Sequence, residues 1–229
     1  MTTHLAAFLI TYRRPAVAAA TLEAMLAQSL PPQRILVLDN GATPDLAERV
    51  RHHAGQGVSY VALEGNLGPA GAAARGLRIL AESDAQWIAW GDDDDPPMTG
   101  DTFARLVEMG NAYGDEVAAV GAVGSRWDWR RGEVQRLADE ELGRGPIDVD
   151  VIAGSSQLLV RANTVRQHGV PDARLFFGFE EPEYCLRLGR AGRRLLVDGE
   201  LAFAYRRQAG RLALPEHRSL IPAYSPSTL

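Results

Sequence analysis

Across the first hundred residues, apolar positions fall into two kinds of segment that alternate. Short runs that are almost continuously apolar occupy residues 4–11, 34–38, 58–63 and 87–90. Their length and continuity predict strands buried on both faces, as in a parallel sheet. Between them lie longer stretches with helical spacing. Residues 16–28 place Val17, Leu22, Met25 and Leu26 on one side, and 46–53 and the alanine-rich 70–82 follow. Pro15 suits the opening of the first helix, and Thr43-Pro44-Asp45 the start of the second. The order β-α-β-α-β-α-β predicts right-handed crossovers and an α/β fold, a mostly parallel central sheet flanked by helices.

Each of these strands runs into a polar segment: Tyr12-Arg13-Arg14, Asp39-Asn40-Gly41, Gly65-Asn66-Leu67-Gly68, and Asp92 to Asp95. All four fall on one sheet edge, beyond the carboxyl ends of the strands, where open α/β sheets bind ligands. The second half is less regular. The pattern predicts a helix over 99–109 and a strand of small residues over 116–124. Residues 125–145 are polar and weakly periodic, with Trp127 and Trp129 among charges, and read as a hairpin or insertion. Short strands follow at 149–152 and 157–161, then helices at 163–168 and 184–190, and late strands at 195–197 and 201–205. From Gln208 onward prolines punctuate the chain and no element is predicted.

Composition narrows the function classes. A net charge of -5 lacks the basic footprint expected of a nucleic-acid binder. Cys185 is the only cysteine, so no internal disulfide can form. It stands at an apolar position of a predicted helix and is expected to pack in the core. A lone cysteine, no basic-then-apolar leader and no run near the roughly 18 apolar residues of a membrane span point to a cytoplasmic protein. Peripheral contact with the inner face of the membrane and the oligomeric state stay open.

The candidate chemistry centres on the four aspartates. Trp87 to Trp90 reads as a buried strand, and Pro96 and Pro97 forbid its continuation, so Asp92 to Asp95 lie on a forced bend at a strand end. Carboxylates held this close raise one another's pKa unless a cation neutralises them, and hard divalent ions prefer an all-oxygen ligand set. The bland alternative is a solvated acidic loop. Asp39, acidic and after the second strand, suits a ribose hydroxyl or a base edge. There is no Gly-x-Gly-x-x-Gly after the first strand and no Walker sequence, which argues against dinucleotide and P-loop sites. Glu180, Glu181 and Glu183 form a second acidic group; its bland reading is a helix N-terminus favoured by the helix dipole.

In order and spacing these pieces resemble the family-2 glycosyltransferases of the GT-A fold. The resemblance rests on Thr11-Tyr12-Arg13-Arg14, Asp39-Asn40-Gly41, Asn66-Leu67-Gly68-Pro69-Ala70-Gly71 with Arg75-Gly76, Asp92-Asp93-Asp94, Gly154-Ser155, and the stretch from Phe176 to Arg187 ending at Gly192. It covers roughly residues 4 to 205. It implies a single GT-A domain over 1–229, with 1–98 binding the nucleotide-sugar and 99–229 forming a small mixed acceptor and catalytic region. Thr11, Tyr12, Arg13, Asp39, Asn66, Gly68, Arg75, Asp92 and Asp93 would line the donor. Asp94 would be the principal ligand of Mn²⁺ or Mg²⁺, with Asp92 beside it, while Asp95 faces solvent.

Glu181 would be the catalytic base, with Glu180 as its alternate. Glu183 and Arg187 would brace that loop through an i,i+4 pair. Many enzymes of this fold add a late histidine to the metal; here Tyr205 stands at the aligned place and His217 is the remaining candidate. The implied activity is metal-dependent, inverting transfer of a sugar from a UDP- or dTDP-linked donor to a hydroxyl of a glycan, glycolipid or small molecule. The aromatic Phe176-Phe177-Gly178-Phe179 is closest to members that use rhamnose or galactofuranose for bacterial envelope glycans. A sugar-phosphate nucleotidylyltransferase and an inactive nucleotide-sugar or metal-binding module are the alternatives. The first usually carries a glycine-rich loop after the first strand, which Tyr12-Arg13-Arg14-Pro15 lacks.

Overall fold

The computed structural model describes residues 3–154 and 157–213. The elements of the first half are β1 (Leu5–Thr11), α1 (Pro15–Leu26), β2 (Arg34–Asp39), α2 (Pro44–Arg51), β3 (Val58–Ala62), α3 (Gly68–Ala81) and β4 (Trp87–Asp92). Those of the second are α4 (Thr102–Ala112), β5 (Val117–Gly121), β6 (Gly124–Asp128), β7 (Glu133–Arg136), β8 (Pro146–Asp148), β9 (Val151–Ile152), β10 (Leu158–Arg161), α5 (Ala162–His168), α6 (Glu180–Arg190), β11 (Arg194–Asp198) and α7 (Gly199–Gln208).

Eight strands form one sheet in the order β3-β2-β1-β4-β10-β5-β11-β8. β1 to β4 are mutually parallel, and β11 runs parallel to β5. β10 is antiparallel to both β4 and β5, so β5 points the same way as β4 across it. β8 closes the far edge antiparallel to β11. The sheet is therefore mostly parallel, with two reversed strands. A smaller antiparallel sheet, β7-β6-β9, stands beside it.

The continuous apolar runs are explained by burial on both faces. Along β1, Ala6, Phe8 and Ile10 enter one core cluster, while Leu5, Ala7 and Leu9 enter the other. Ile88 and Trp90 of β4 divide from Trp87 and Ala89 in the same way. α3, α5 and α6 cover the first face through residues such as Leu77, Val165 and Leu188. α1, α2 and α4 cover the second through Leu22, Leu46 and Phe103. Cys185 lies in the first cluster, fully buried, with its thiol pKa pushed up to about 12 by burial.

Three sequence expectations change. Residues 201–205 are helical, not a strand: the Asp198 side chain accepts from the N–H groups of Glu200 and Leu201, both at 3.0 Å, and so starts α7. The strand expected over 116–124 ends at Gly121, and the chain crosses to the smaller sheet at Gly124. The last acidic-rich helix begins at Glu180, four residues before its expected start, which puts Glu180 and Glu181 in its first turn. The expected hairpin is present as β6 and β7. No helix among the described residues is long and apolar enough to cross a membrane.

Candidate active site

A cavity of about 490 Å³ opens at the carboxyl edge of β1, β2 and β4. Thr11, Tyr12, Asn66, Gly68, Asp92, Asp93, Asp94, Glu180 and Glu181 all line it. The two acidic groups, 88 positions apart between Asp92 and Glu180 (180 − 92), thus share one space. Asp39, Arg13 and Arg75 do not line it, whereas Arg14, Asn40, Phe176 and Phe177 do.

The aspartates have unequal surroundings. Asp93 is 1% exposed and anchors the bend. Its Oδ2 accepts from the Thr11 hydroxyl at 2.6 Å, its Oδ1 from Arg14 Nη2, and its carbonyl from the Thr21 hydroxyl at 2.5 Å. Asp94 is exposed and accepts from Arg14 Nη1 at 2.8 Å. Asp95 is half-buried and accepts from Gln157 Nε2 at 3.3 Å, so it faces the residue just before β10, where open solvent was expected. Asp92 carries the strongest electrostatic strain of the four. Burial first, then the charges of Asp94, Glu180, Asp93 and Asp95, push its pKa up to about 7.

The glutamates extend this acidic field. Glu180 is 4% exposed, and its Oε2 has no hydrogen-bond partner. Burial holds its pKa above the usual carboxylate range. Glu181 is half-buried, and burial together with the charges of Glu180 and Asp92 raises its pKa to about 8. The backbone amide of Gly154 acts against that rise. Gly154 also makes room for the group: a Cβ there would stand 2.0 Å from Glu181 Oε1. Glu183 points elsewhere. It bonds Arg187 Nε at 2.6 Å, and Arg187 in turn donates to the carbonyls of His168 and Val170, at 2.6 and 2.7 Å. The expected brace is therefore present, and it ties α6 to the segment after α5.

The residues outside the cavity have identifiable duties. Both carboxylate oxygens of Asp39 are engaged by its own turn, from Gly41 N–H at 2.7 Å, Thr43 N–H at 2.6 Å and the Tyr60 hydroxyl at 2.9 Å. Asn40 reaches the site in its place, accepting from Leu67 N–H at 2.9 Å at the start of α3. Arg13 has a φ of 56° and turns over the Tyr12 ring, 5.0 Å from its centroid. That reversal sends the next side chain, Arg14, into the cavity. Arg75 is exposed in the second turn of α3. His217 lies outside the described residues, as does Ser155. Among the described residues no three His, Cys, Asp or Glu side chains form a ready metal cage.

One wall was not foreseen as a wall at all. Phe176, Phe177 and Phe179 are 49%, 59% and 53% exposed, and the first two line the cavity. Their loop is held in unusual backbone states, with φ of 58° at Phe176, 84° at Gly178 and 66° at Phe179. Non-glycine residues adopt such values only where the surroundings over-determine them. Here the Phe176 carbonyl accepts from Ala70 N–H at 3.2 Å and lies against Gly68, where any Cβ would stand 2.1 Å from that oxygen. Phenyl rings displayed this way contribute little to the core and leave an apolar rim beside the carboxyl groups.

Comparison with known proteins identifies the family and the fold. Residues 7–169 match the profile of glycosyl transferase family 2. Galactofuranosyltransferase GlfT1 of Mycolicibacterium smegmatis is 33% identical over 202 residues, which span 81% of this chain and 65% of that protein. Galactofuranosyltransferase GlfT1 of Mycobacterium tuberculosis is 32% identical over 206 residues, covering 84% and 66%. The chain thus spans about two thirds of the length of these relatives. Among solved structures, the mannosyltransferase PcManGT from Pyrobaculum calidifontis in complex with GDP-Man and Mn²⁺ superposes with a TM-score of 0.64 at 16% identity, over 87% of this chain and 57% of that one. S. aureus TarS 1-349 in complex with UDP gives a TM-score of 0.63 at 14% identity, over 86% and 58%. At such identities these likenesses establish the fold, the GT-A arrangement of a mostly parallel sheet between helices. With the profile matched across most of its length, the chain belongs to glycosyl transferase family 2.

Proposed function

We propose that this protein transfers a sugar, of the galactofuranose class, from a nucleoside-diphosphate donor to an acceptor hydroxyl by a single inverting displacement. The observation that carries the reading is the convergence of Asp92–Asp94 and Glu180–Glu181 on one cavity. The donor sugar class comes from the two similar galactofuranosyltransferases, and a UDP- or dTDP-linked donor is consistent with both the acidic floor and the lack of a glycine-rich phosphate loop.

The reaction asks for two things. The acceptor hydroxyl must lose its proton as it attacks the anomeric carbon, and a carboxylate within reach can take it. Glu181 suits that role: it lines the cavity, and a pKa raised to about 8 makes it a stronger base than an ordinary carboxylate. Glu180, with one oxygen unpartnered, is the alternate acceptor of that proton. The charge that gathers on the departing diphosphate must also be neutralised. Asp92 and Asp94 offer an all-oxygen donor set. Mg²⁺-type ions are commonly held by one or two carboxylates plus substrate phosphates and water, so the residues fit such an ion without a protein cage. When bound, the cation would act as a Lewis acid toward the diphosphate. Asp93 holds the bend that presents its neighbours, through Thr11 and Arg14.

The aromatic rim completes the site on the side of the glutamates. Phe177 and Phe179 offer apolar faces for the C–H surface of an acceptor sugar, while the carboxyl groups take its hydroxyls. Turnover of a UDP-linked or dTDP-linked sugar should fall by about 10²- to 10⁴-fold in Glu181→Gln while nucleotide binding persists. If Glu181→Gln and Glu180→Gln each retain turnover, the base has been misassigned. Full activity in excess EDTA would remove the role given to Asp94.

A further inference from the structure

Among the described residues, Arg14 is the only cationic side chain lining the cavity, against the carboxyl groups of Asp92, Asp93, Asp94, Glu180 and Glu181. Its backbone is fixed. Arg14 occupies the N-cap of α1 ahead of Pro15, and its carbonyl accepts from Ala18 N–H at 3.0 Å. From that pivot the planar guanidinium forks across two aspartates in different settings. Nη2 meets Asp93, which is buried, and Nη1 meets Asp94 Oδ2 at 2.8 Å, where the carboxylate is exposed.

The two halves of this fork differ in strength. An ion pair with a buried carboxylate is costly to break, because the partner left behind is an uncompensated charge. A pair at an exposed carboxylate is screened and contributes little. The Asp93 half is therefore the fixed one and the Asp94 half the replaceable one. Arginine stays charged at every relevant pH, so loss of its own proton cannot release it. A second cation that binds Asp94 more tightly can take its place there.

We infer that Arg14 is the internal counter-ion of the aspartate run, occupying Asp94 until a divalent cation displaces it and thereby setting the affinity of the site for that cation. This rests on the metal-dependent reading given above. Arg14 is on this view a positioning residue: it holds the bend in shape in the absence of donor and competes with the ion that donor binding requires. Its loss leaves Asp94 free and the neighbouring carboxyl groups in mutual repulsion. The cation should then bind more tightly, and the cation-free protein should be less stable.

Mn²⁺ alone is the probe, followed by loss of the free-ion paramagnetic resonance signal and by thermal melting with and without the ion. Arg14→Gln should tighten the Mn²⁺ dissociation constant by roughly tenfold, the scale of removing one unit charge a few ångströms away at a partly exposed site. It should also lower the melting temperature without Mn²⁺ and widen the gap that Mn²⁺ restores. Arg14→Lys, a point charge without the fork, should fall between the two, and it serves as the readout if Arg14→Gln does not fold. Thr11→Val removes only the hydroxyl that anchors Asp93, so it should loosen Mn²⁺ binding or leave it unchanged. A merely structural Arg14 would behave like Thr11→Val, and unchanged or weaker Mn²⁺ binding in Arg14→Gln overturns the inference. If the unsubstituted protein takes up no Mn²⁺ even with UDP present, the metal-dependent reading itself falls, an outcome distinct from the first.

Discussion

Glu181 is the base proposed for this site, and its environment costs stability to create. An ordinary glutamate ionises near pH 4.5, whereas burial and the charges of Glu180 and Asp92 hold this one near 8. The folded state therefore binds a proton that the unfolded state has released. Stability from this group is full below the unfolded pKa and is lost as pH rises toward about 8. In the absence of cation, the melting temperature should fall between about pH 5 and pH 9. Glu181→Gln, which cannot ionise, should melt higher than the unsubstituted protein at pH 9. The same substitution should reduce turnover by about 10²- to 10⁴-fold, the usual contribution of a general base. Since kcat/KM reports the free enzyme, its alkaline-rising limb should lie near the raised pKa and disappear in Glu181→Gln. A variant that melts lower at pH 9 would place the strain elsewhere in the cluster.

Single residues also explain where sequence reading stopped. The aspartate run, its buried strand and the acid pair are legible because like charge held at a strand end is rare and repels itself. Arg14 was not singled out in place of Arg13, because a positive φ at Arg13 decides which of two adjacent arginines enters the cavity. Nothing in two identical letters shows that. Asp39 has the position of a ligand-binding acid, yet its oxygens are taken up by Gly41, Thr43 and Tyr60. A turn that satisfies its own carboxylate looks the same in sequence as one that leaves it free.

At the scale of elements, the site depends on where helices begin. α6 starts at Glu180, so its first turn carries both candidate bases, and the dipole there favours their ionised form against burial. Gly154 fits the segment after β9 against that turn. Gly154→Ala should expel the Glu181 carboxylate and sharply reduce turnover, with folding largely kept, as checked by circular dichroism and melting. α7 is preceded by Asp198, whose carboxylate both caps the helix and accepts a forked bond from Arg105, Nη2 to Oδ2 at 2.9 Å. Asp198→Ala should cost about 2 kcal/mol in denaturant unfolding, a cap plus a partly exposed ion pair. The strand expected at 201–205 shows why element type fails in short apolar runs. Leu201 and Ala202 fit either period, and the decisive signal was the Asp198-Gly199-Glu200 start, a cap. The same scale governs the aromatic rim: Phe177→Ala with Phe179→Ala should raise the acceptor KM while leaving UDP binding intact. A change in UDP affinity instead would assign the rim to the donor.

The whole molecule is organised by a sheet that the chain does not build in order. β1 to β4 were legible because each is continuous and followed by a helix. β8 was not, since three residues at a sheet edge carry no period of their own. β10, a strand expected from sequence, is placed by no local signal, because its partners are β4 and β5 and both precede it by dozens of residues. That placement has a consequence for synthesis. When β4 first forms it pairs with β1 on one side only, so its other edge, between the buried Trp87 and Trp90, stays open until β10 has been made. Translation adds ~5–20 residues per second, so the interval from Asp92 to Arg161 lasts roughly 3–14 s. An apolar strand edge exposed that long is a template for pairing with other chains. A fragment ending at residue 98 should keep this edge permanently and aggregate on expression, whereas one ending at residue 213 should stay dispersed. Nascent chains halted between those lengths should be the ones that capture chaperones, and release them once Arg161 clears the ribosome.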